Sequence, residues 1–358
     1  MICEYVGKQM AELLTLEVYL DLCATRKPAL LPVCRTLADL SHAGRRIAKT
    51  LSYGPLAGKL SEKVGESLDG DGQKLLDVMA HEILREALSN GCVRDFASEE
   101  AAAPEILDPA GTLAVAIDPL DGSSNIDTLA PIGTIFSILP ATGETPFLQP
   151  GRNQLAAGFL IYGPQTALAL TLDEGTRIFT LHPDRNEFMT AGDDVKVPAQ
   201  TQEYAINASN QRHWEPAIAG FIDELLQGAG GPREADFNTR WVGSMVADAY
   251  RILIRGGVYL YPADRRHGYD QGRLRLLYEA NPIALLMERA GAAATDGRSS
   301  ILDIVPKELH QRSPLIFGTA DEIARIKAAF AAPHPRSSPL FNRRSLFRNN
   351  AISVERHA

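Results

Sequence analysis

The sequence predicts a mixed α/β fold of two sheet-containing halves, with helices packed between and around them. Three observations carry this. Apolar runs at 132–138, 156–162, 166–172 and 177–181 are separated only by short turns, the spacing of an antiparallel meander. Amphipathic helical patterns come before and after that block. Beyond residue 200, short strand patterns alternate with helical ones, as in a second α/β layer. The expected divisions are an N-terminal segment 1–35, an N-terminal half 36–199, a C-terminal half 200–331 and a disordered tail 332–358.

In order, residues 1–35 read as weakly helical and broken by Pro28 and Pro32. Leu37, Leu40, Ile47 and Leu51 share one face of a helix over 37–51. Asp69-Gly70-Asp71-Gly72 makes a loop. A helix over 73–88 follows, with Leu75, Leu76, Met79, Ile83, Leu84 and Ala87 on its apolar side and Asn90-Gly91 as its stop. A short strand leads to Ser98-Glu99-Glu100, in which extended neighbours would point oppositely. An Ala- and Pro-rich loop comes next, then a buried strand over 111–117 that Pro119 should end. In the second half we expect a strand at 204–206, a helix at 215–226 and a Gly-rich break at 228–231. A helix then opens at 238–245 and runs through Arg255. A strand at 257–261, a helix at 281–289, a strand at 315–317 and a helix at 321–330 complete it. Beyond Ala332 the Pro-, Ser- and Arg-rich run has little periodicity.

Composition narrows the function. A chain of 358 residues can bury a large core. Its formal charge of −8 argues against non-specific nucleic-acid binding, which runs on basic patches. No apolar run reaches the length of a membrane span. The start, MICEYVGKQMAELL, carries acids and lacks the apolar stretch of a signal peptide. Cys3, Cys23, Cys34 and Cys92 show no Cys-x-x-Cys spacing, so reduced thiols in a cytoplasmic protein are expected.

The chemistry concentrates in Ala116-Ile117-Asp118-Pro119-Leu120-Asp121-Gly122-Ser123-Ser124-Asn125-Ile126-Asp127. Asp118 and Asp121 bring two carboxylates to a strand end, the hard oxygen ligands of a cation such as Mg²⁺. Gly122 permits close backbone approach, and Ser123 and Ser124 add hydroxyls and N–H groups suited to a phosphate. Asp, Pro and Gly are also ordinary turn residues, so the short core of this string alone does not decide between turn and site.

The full string resembles the signature of class 1 fructose-1,6-bisphosphatase, within the lithium-sensitive, metal-dependent sugar and inositol phosphatases. A second run, Gly272-Arg273-Leu274-Arg275-Leu276-Leu277-Tyr278-Glu279-Ala280-Asn281-Pro282, resembles that family's other signature and lies in the family's order. The likeness covers about residues 36–330. It implies the layered sugar-phosphatase fold and Mg²⁺-dependent removal of the 1-phosphate of fructose 1,6-bisphosphate, with Mn²⁺ as a substitute and Li⁺ as an inhibitor. It also implies a homotetramer serving gluconeogenesis or the Calvin cycle.

The same likeness implies roles. Glu99, Asp118, Asp121, Glu279 and the Leu120 carbonyl would be metal ligands. Glu100, Asp77 and Asp71 would orient or deprotonate water. Asp121, Gly122, Ser123 and Ser124 would meet the reacting phosphate, and Asn207, Tyr261 and Arg273 the distal one. Arg240 would reach a neighbouring subunit's site. Three departures touch the distal-phosphate pocket. Trp241 stands for a usual Tyr, Asn210 for another, and the loop Asp264–Gln271 is longer. Sedoheptulose 1,7-bisphosphate, alone or with the fructose ester, is therefore an alternative substrate. An inositol-phosphate phosphatase or an inactive sugar-phosphate sensor fits the two motifs less well.

Many relatives bind inhibitory AMP through a Gly-containing N-terminal loop and a Lys-Tyr pair shortly before the Asp-Pro-Leu-Asp turn. Here Cys23–Leu30 contains no glycine, Pro28 removes a donor, and Thr112 and Leu113 occupy the Lys-Tyr places. An AMP titration at saturating Mg²⁺ should therefore show weak inhibition or none, and potent cooperative inhibition would contradict the reading.

Overall fold

The computed structural model describes residues 13–66, 72–89, 91–190 and 192–332. Asp71, the loop residues 69–70, Asn90 and the tail beyond 332 lie outside the described residues, so the expectations placed on them are not addressed.

Among the described residues the first three α-helices are α1 (Leu16–Arg26), α2 (Leu31–Tyr53) and α3 (Leu75–Leu88). Pro32 does not break the helix as expected. It lies in the first turn of α2, where a missing N–H is no loss, so that helix begins six residues earlier than the periodicity suggested.

The first sheet has nine strands. The central ones are β1 (Val93–Ser98), β2 (Leu113–Asp121), β3 (Ile132–Pro140), β4 (Ala156–Tyr162), β5 (Thr166–Leu172), β6 (Arg177–His182) and β7 (Glu187–Thr190). They lie side by side in sequence order, with Leu14–Thr15 beyond β7 and Glu105–Ile106 beyond β1. β3 to β7 form the expected meander, while β1 and β2 pair in parallel.

Pro119 does not end β2. The strand continues to Asp121, which pairs with Gly133 after a shift of register between Asp118 and Asp121. At such a bulge the ladder hydrogen bond that Pro cannot make is not required. The bulge also sets both aspartates at the end of a strand that is buried along its whole length.

The second half supplies α4 (Pro216–Leu226), α5 (Met245–Arg255), α6 (Asn281–Arg289) and α7 (Ala320–Ala331). Its sheet contains β8 (Glu203–Ile206), β9 (Val258–Tyr261), β10 (Ala293–Thr295) and β11 (Leu315–Gly318), in the order Asn238–Thr239, β8, β9, β11, β10. The helix expected from residue 238 starts only at Met245, because Asn238–Thr239 is an edge strand.

Strand alternation explains the layering. Phe136, Ile138 and Leu160 join Leu37, Leu40, Ile47 and Leu84 of α2 and α3 on one face of the first sheet. Ile135 and Phe159 point the other way, into a core with Val246 and Ile252 of α5, Ile283 and Leu286 of α6, and Tyr259 and Phe317 of the second sheet. The far face of that second sheet buries Ile206, Leu260 and Ile316 against Ile218 and Phe221 of α4 and Ile323 of α7. Five layers result, helix–sheet–helix–sheet–helix, with α5 and α6 pressed between the sheets.

Gly318 shows how close the second sheet is drawn. It has φ +144°, and a Cβ there would stand 2.0 Å from the Gly257 carbonyl oxygen. Gly318→Ala should destabilise the protein by about 3 kcal/mol or more, read as a lower midpoint in denaturant.

Candidate active site

Asp118, Asp121 and Glu279 each offer a carboxylate oxygen, and those atoms lie within 4.8 Å of one another. All three residues are buried. The two aspartates come from the bulged end of β2. Glu279 comes from a five-residue π turn, Leu276–Ala280, that leads into α6. A π turn fits one more residue than an α turn and re-aims what it carries.

Neighbouring N–H groups hold each carboxylate. Asp118 Oδ1 accepts from the Leu120 N–H at 2.9 Å. Asp121 Oδ2 accepts from the Val246 N–H at 3.0 Å and the Ser244 hydroxyl at 3.3 Å, so the N-terminal turn of α5 grips it. Glu279 Oε2 accepts from the Arg275 N–H.

These bonds do not offset the burial. Asp118 is pushed well above the usual carboxylate range, first by desolvation and then by Glu99, Glu279 and Asp121. Glu279 moves the same way, by burial and by Glu99. Asp121 is raised by burial to about 6, against the pull of Val246, Ser244 and Met245. Oxygen ligands whose mutual repulsion is relieved by a divalent cation are what a hard-metal site requires, so the donor set fits such an ion.

The remaining sequence-derived positions gather around this cluster unevenly. Glu99 and Glu100 occupy a turn after β1 rather than the extended segment expected. The Glu99 N–H donates to the Ile117 carbonyl at 3.0 Å, and its Oε1 lies 3.4 Å from Arg275 Nε. Glu100 donates its N–H to the Ser98 hydroxyl, which also meets His81 Nδ1 at 2.9 Å.

Asp77 sits in the first turn of α3, 4% exposed. Its Oδ2 accepts from the Lys74 N–H at 2.9 Å, while Oδ1 is buried with no hydrogen-bond partner among the described residues. Burial raises this carboxyl to about 6, opposed by the Lys74 N–H and reinforced by Glu100.

Gly122, in the left-handed region at φ 76°, turns the chain into the short 3₁₀ segment Ser123–Thr128. Lys74 Nζ ties that segment to α3 through the Ser123 carbonyl at 2.6 Å, and Ser124 is exposed.

Asn207 and Tyr261 line a narrow cleft in the second half together with Asn210 and Tyr269. Arg273 donates to the Tyr269 hydroxyl at 2.6 Å. Arg240 is exposed at the sheet edge, its Nε 3.6 Å from Glu203.

Two further groups carry no obvious mark in the sequence. Arg275, in the second motif, is 5% exposed and holds Glu99 and the His310 carbonyl as well as Glu279. Asp248, fully buried in α5, meets Arg251 at 2.9 Å, and Arg251 meets Glu203 at 3.4 Å. Asp248 also accepts a backbone hydrogen bond from Val242, just ahead of the turn that grips Asp121, and burial raises it to about 7. The three-residue spacing of Asp248 and Arg251 was the available signal.

Known proteins resemble the chain over nearly all of its length. Residues 28–193 match the family model described as "Fructose-1-6-bisphosphatase, N-terminal domain", and residues 197–331 match the C-terminal domain of the same family. A class 1 fructose-1,6-bisphosphatase of Acidiphilium cryptum is 59% identical over 352 residues, 97% of this chain and 99% of the relative. One from Paracoccus denitrificans is 50% identical over 323 residues, 90% of this chain and 96% of the relative. The crystal structure of Leishmania major fructose-1,6-bisphosphatase in holo form superimposes with a TM-score of 0.82 at 30% identity, over 89% of this chain and 99% of that one.

The raised carboxyls have a consequence for stability. A carboxyl whose folded pKa exceeds its unfolded one stabilises the fold below the unfolded value and loses that contribution as pH rises through the folded value. For Asp77 and Asp121 the window runs from 3.8 to about 6. One such carboxyl moved from 3.8 to about 6 costs the fold about 3 kcal/mol at pH 8. In chelator the melting temperature should therefore fall between pH 5 and pH 8. Divalent cation should restore it most at pH 8, and a pH-independent metal effect would contradict the assignment.

Proposed function

The chain belongs to the class 1 fructose-1,6-bisphosphatase family and hydrolyses fructose 1,6-bisphosphate, and from that premise we propose how its own residues carry out the reaction. The observation that carries the proposal is the buried trio Asp118, Asp121 and Glu279 beside Glu99, with an acceptor on Asp77 that has no partner among the described residues.

Asp118, Asp121, Glu279, Glu99 and the Leu120 carbonyl hold Mg²⁺, or Mn²⁺ in its place. When bound, the cation supplies positive charge against the phosphoryl oxygens and acidifies water. The protein's part is positioning. The Val246 N–H and the Ser244 hydroxyl fix Asp121 so that one oxygen keeps its direction. Gly122, with no side chain, lets the Ser123 and Ser124 N–H groups approach the 1-phosphate, which is the one removed.

Asp77 and Glu100 orient the attacking water and take its proton, with Asp71 assisting. A carboxyl raised to about 6 is a better base near neutrality than an ordinary aspartate. In-line displacement at phosphorus needs little covalent chemistry from the protein beyond this. Asn207, Tyr261 and Arg273 hold the phosphate that stays on the sugar, and Arg240 reaches from one subunit toward its neighbour's site in a homotetramer. Among the described residues no helix is long and apolar enough to cross a membrane, which is compatible with a cytoplasmic enzyme.

Trp241 favours a second reading in which sedoheptulose 1,7-bisphosphate is also accepted. It stacks on Tyr259 with centroids 5.8 Å apart, and brings no hydroxyl to the distal phosphate.

Phosphate release from both bisphosphates and from inositol monophosphate should be measured in Mg²⁺, with and without chelator and Li⁺. Activity should be highest on the sugar bisphosphates and vanish in chelator. Asp118→Asn and Glu279→Gln should lose at least about a thousandfold in kcat, and Asp77→Asn about a hundredfold. Full activity in chelator, or variants near the parent rate, would refute the scheme.

A further inference from the structure

The loop 264–271 borders the cleft and is ordered by its own hydrogen bonds. The Asp264 N–H donates to the Tyr269 carbonyl at 3.1 Å, the Tyr269 N–H to the Arg266 carbonyl at 3.0 Å, and the Gly272 N–H to the Tyr269 carbonyl at 3.0 Å. Gly272 closes it at φ 75°, where a Cβ would stand 2.3 Å from the Pro314 nitrogen. Asp264, 6% exposed, also bridges to Trp214 and so fastens the loop to the wall of the cleft.

Two guanidinium groups lie over the Tyr269 ring, Arg266 at 3.9 Å and Arg273 at 4.7 Å from its centroid. Arg273 Nη1 also donates to the Tyr269 hydroxyl at 2.6 Å. Arg266 is held by Asp264 through Nε and Nη2, which leaves both Nη1 hydrogens and the second Nη2 hydrogen as donors. Among the described residues no carboxylate forms an ion pair with Arg273. Burial pushes the Tyr261 hydroxyl up, Arg273 and Arg266 oppose that shift, and Glu279 and Tyr269 add to it. The ring and Arg266 thus border the same cleft as Tyr261 and Asn207, and Arg273 is tied to that border through the Tyr269 hydroxyl.

We propose that Arg266 and Tyr269 are specificity-determining residues that hold the non-reacting phosphate of the substrate, in place of the hydroxyls absent at Trp241 and Asn210. Tyr269 positions Arg273. Its face fixes the plane of the guanidinium and its hydroxyl fixes the direction of one N–H, so that the planar fork meets two phosphate oxygens together. Arg266 adds a second charged donor from the opposite end of the loop. The loop's own hydrogen bonds set this arrangement before substrate arrives, which lowers the ordering cost of binding. Asp264 is the counterweight: it keeps Arg266 in place and offsets part of its charge. This inference rests on the reading of the chain as a sugar bisphosphatase.

Two measurements test it and separate its failure from that of the enzymatic reading. The first is calorimetric binding of fructose 6-phosphate, which needs no turnover. Arg266→Ala and Tyr269→Phe should each weaken it about tenfold or more, whereas Arg266→Lys should recover part of the loss. The second compares steady-state kinetics on fructose 1,6-bisphosphate and on fructose 1-phosphate, which has no distal phosphate. Both variants should raise KM for the bisphosphate by a similar factor with kcat within about twofold, and leave kcat/KM for fructose 1-phosphate at the parent value.

Unchanged fructose 6-phosphate binding in both variants would overturn the proposal. So would equal losses on the two sugars, which would mean that the substitutions act through the fold or the metal cluster. If the parent binds fructose 6-phosphate but releases no phosphate from any bisphosphate, the enzymatic reading fails. The binding arm still decides this one.

Discussion

Crowding of negative charge at the end of one buried strand is the constraint on which the rest depends. Asp118, Asp121 and Glu279 share a space of a few ångströms with water largely excluded, and Glu99 adds to the repulsion. Such a cluster is costly to fold around, because burial and like charge both oppose ionisation. The chain sets three kinds of counterweight about it: backbone N–H groups from the Asp118 turn and the π turn, the start of α5 against Asp121, and the buried guanidinium of Arg275. None removes the repulsion. What is left is a fold poised to gain stability from a cation, which couples ligand binding to the folded state.

The five layers exist to bring those groups together from distant parts of the chain. β2 supplies two carboxylates, the turn after β1 supplies Glu99, α3 supplies Asp77, and the π turn before α6 supplies Glu279. The parallel pairing of β1 with β2 aligns their ends, so Glu99 and Asp118 leave the sheet on the same edge. α5 belongs to the second half by sequence but seals the first sheet, and its N-terminus holds Asp121. Through Asp248, Arg251 and Glu203 the same helix reaches Arg240 at the outer edge of the second sheet. The surface Arg240 is in this way joined by ion pairs to the buried Asp248 of the helix whose first turn holds Asp121.

Much of this was legible in the sequence. The meander showed in the regular spacing of apolar runs, and the site in two motifs more than a hundred residues apart. Local chemistry misled where tertiary context prevailed. Pro119 looks like a stop because a regular ladder excludes proline, but the bulge between Asp118 and Asp121 removes that demand. Pro32 looks like a break, although at the head of a helix it is harmless. Glu99 and Glu100 look extended, yet the turn that carries them is set by the hydrogen bond to Ile117 on the neighbouring strand. Arg275 and Asp248 could not be singled out, because a buried ion pair looks like a solvated one until the packing is known.

Glu279 shows how narrow the margin for such a site is. Its approach to the aspartates depends on the widened turn 276–280, whose extra residue is absorbed without interrupting the run into α6. Each residue of an α-helix turns the chain by roughly 100°. Loss of one residue from this segment would let the helix close up into its regular form. The carboxylate would be carried round to another side of the helix, and the buried Leu276, Leu277 and Tyr278 beside it would have to repack. The one extra residue in this turn therefore sets the register of the carboxylate and of the core side chains beside it together.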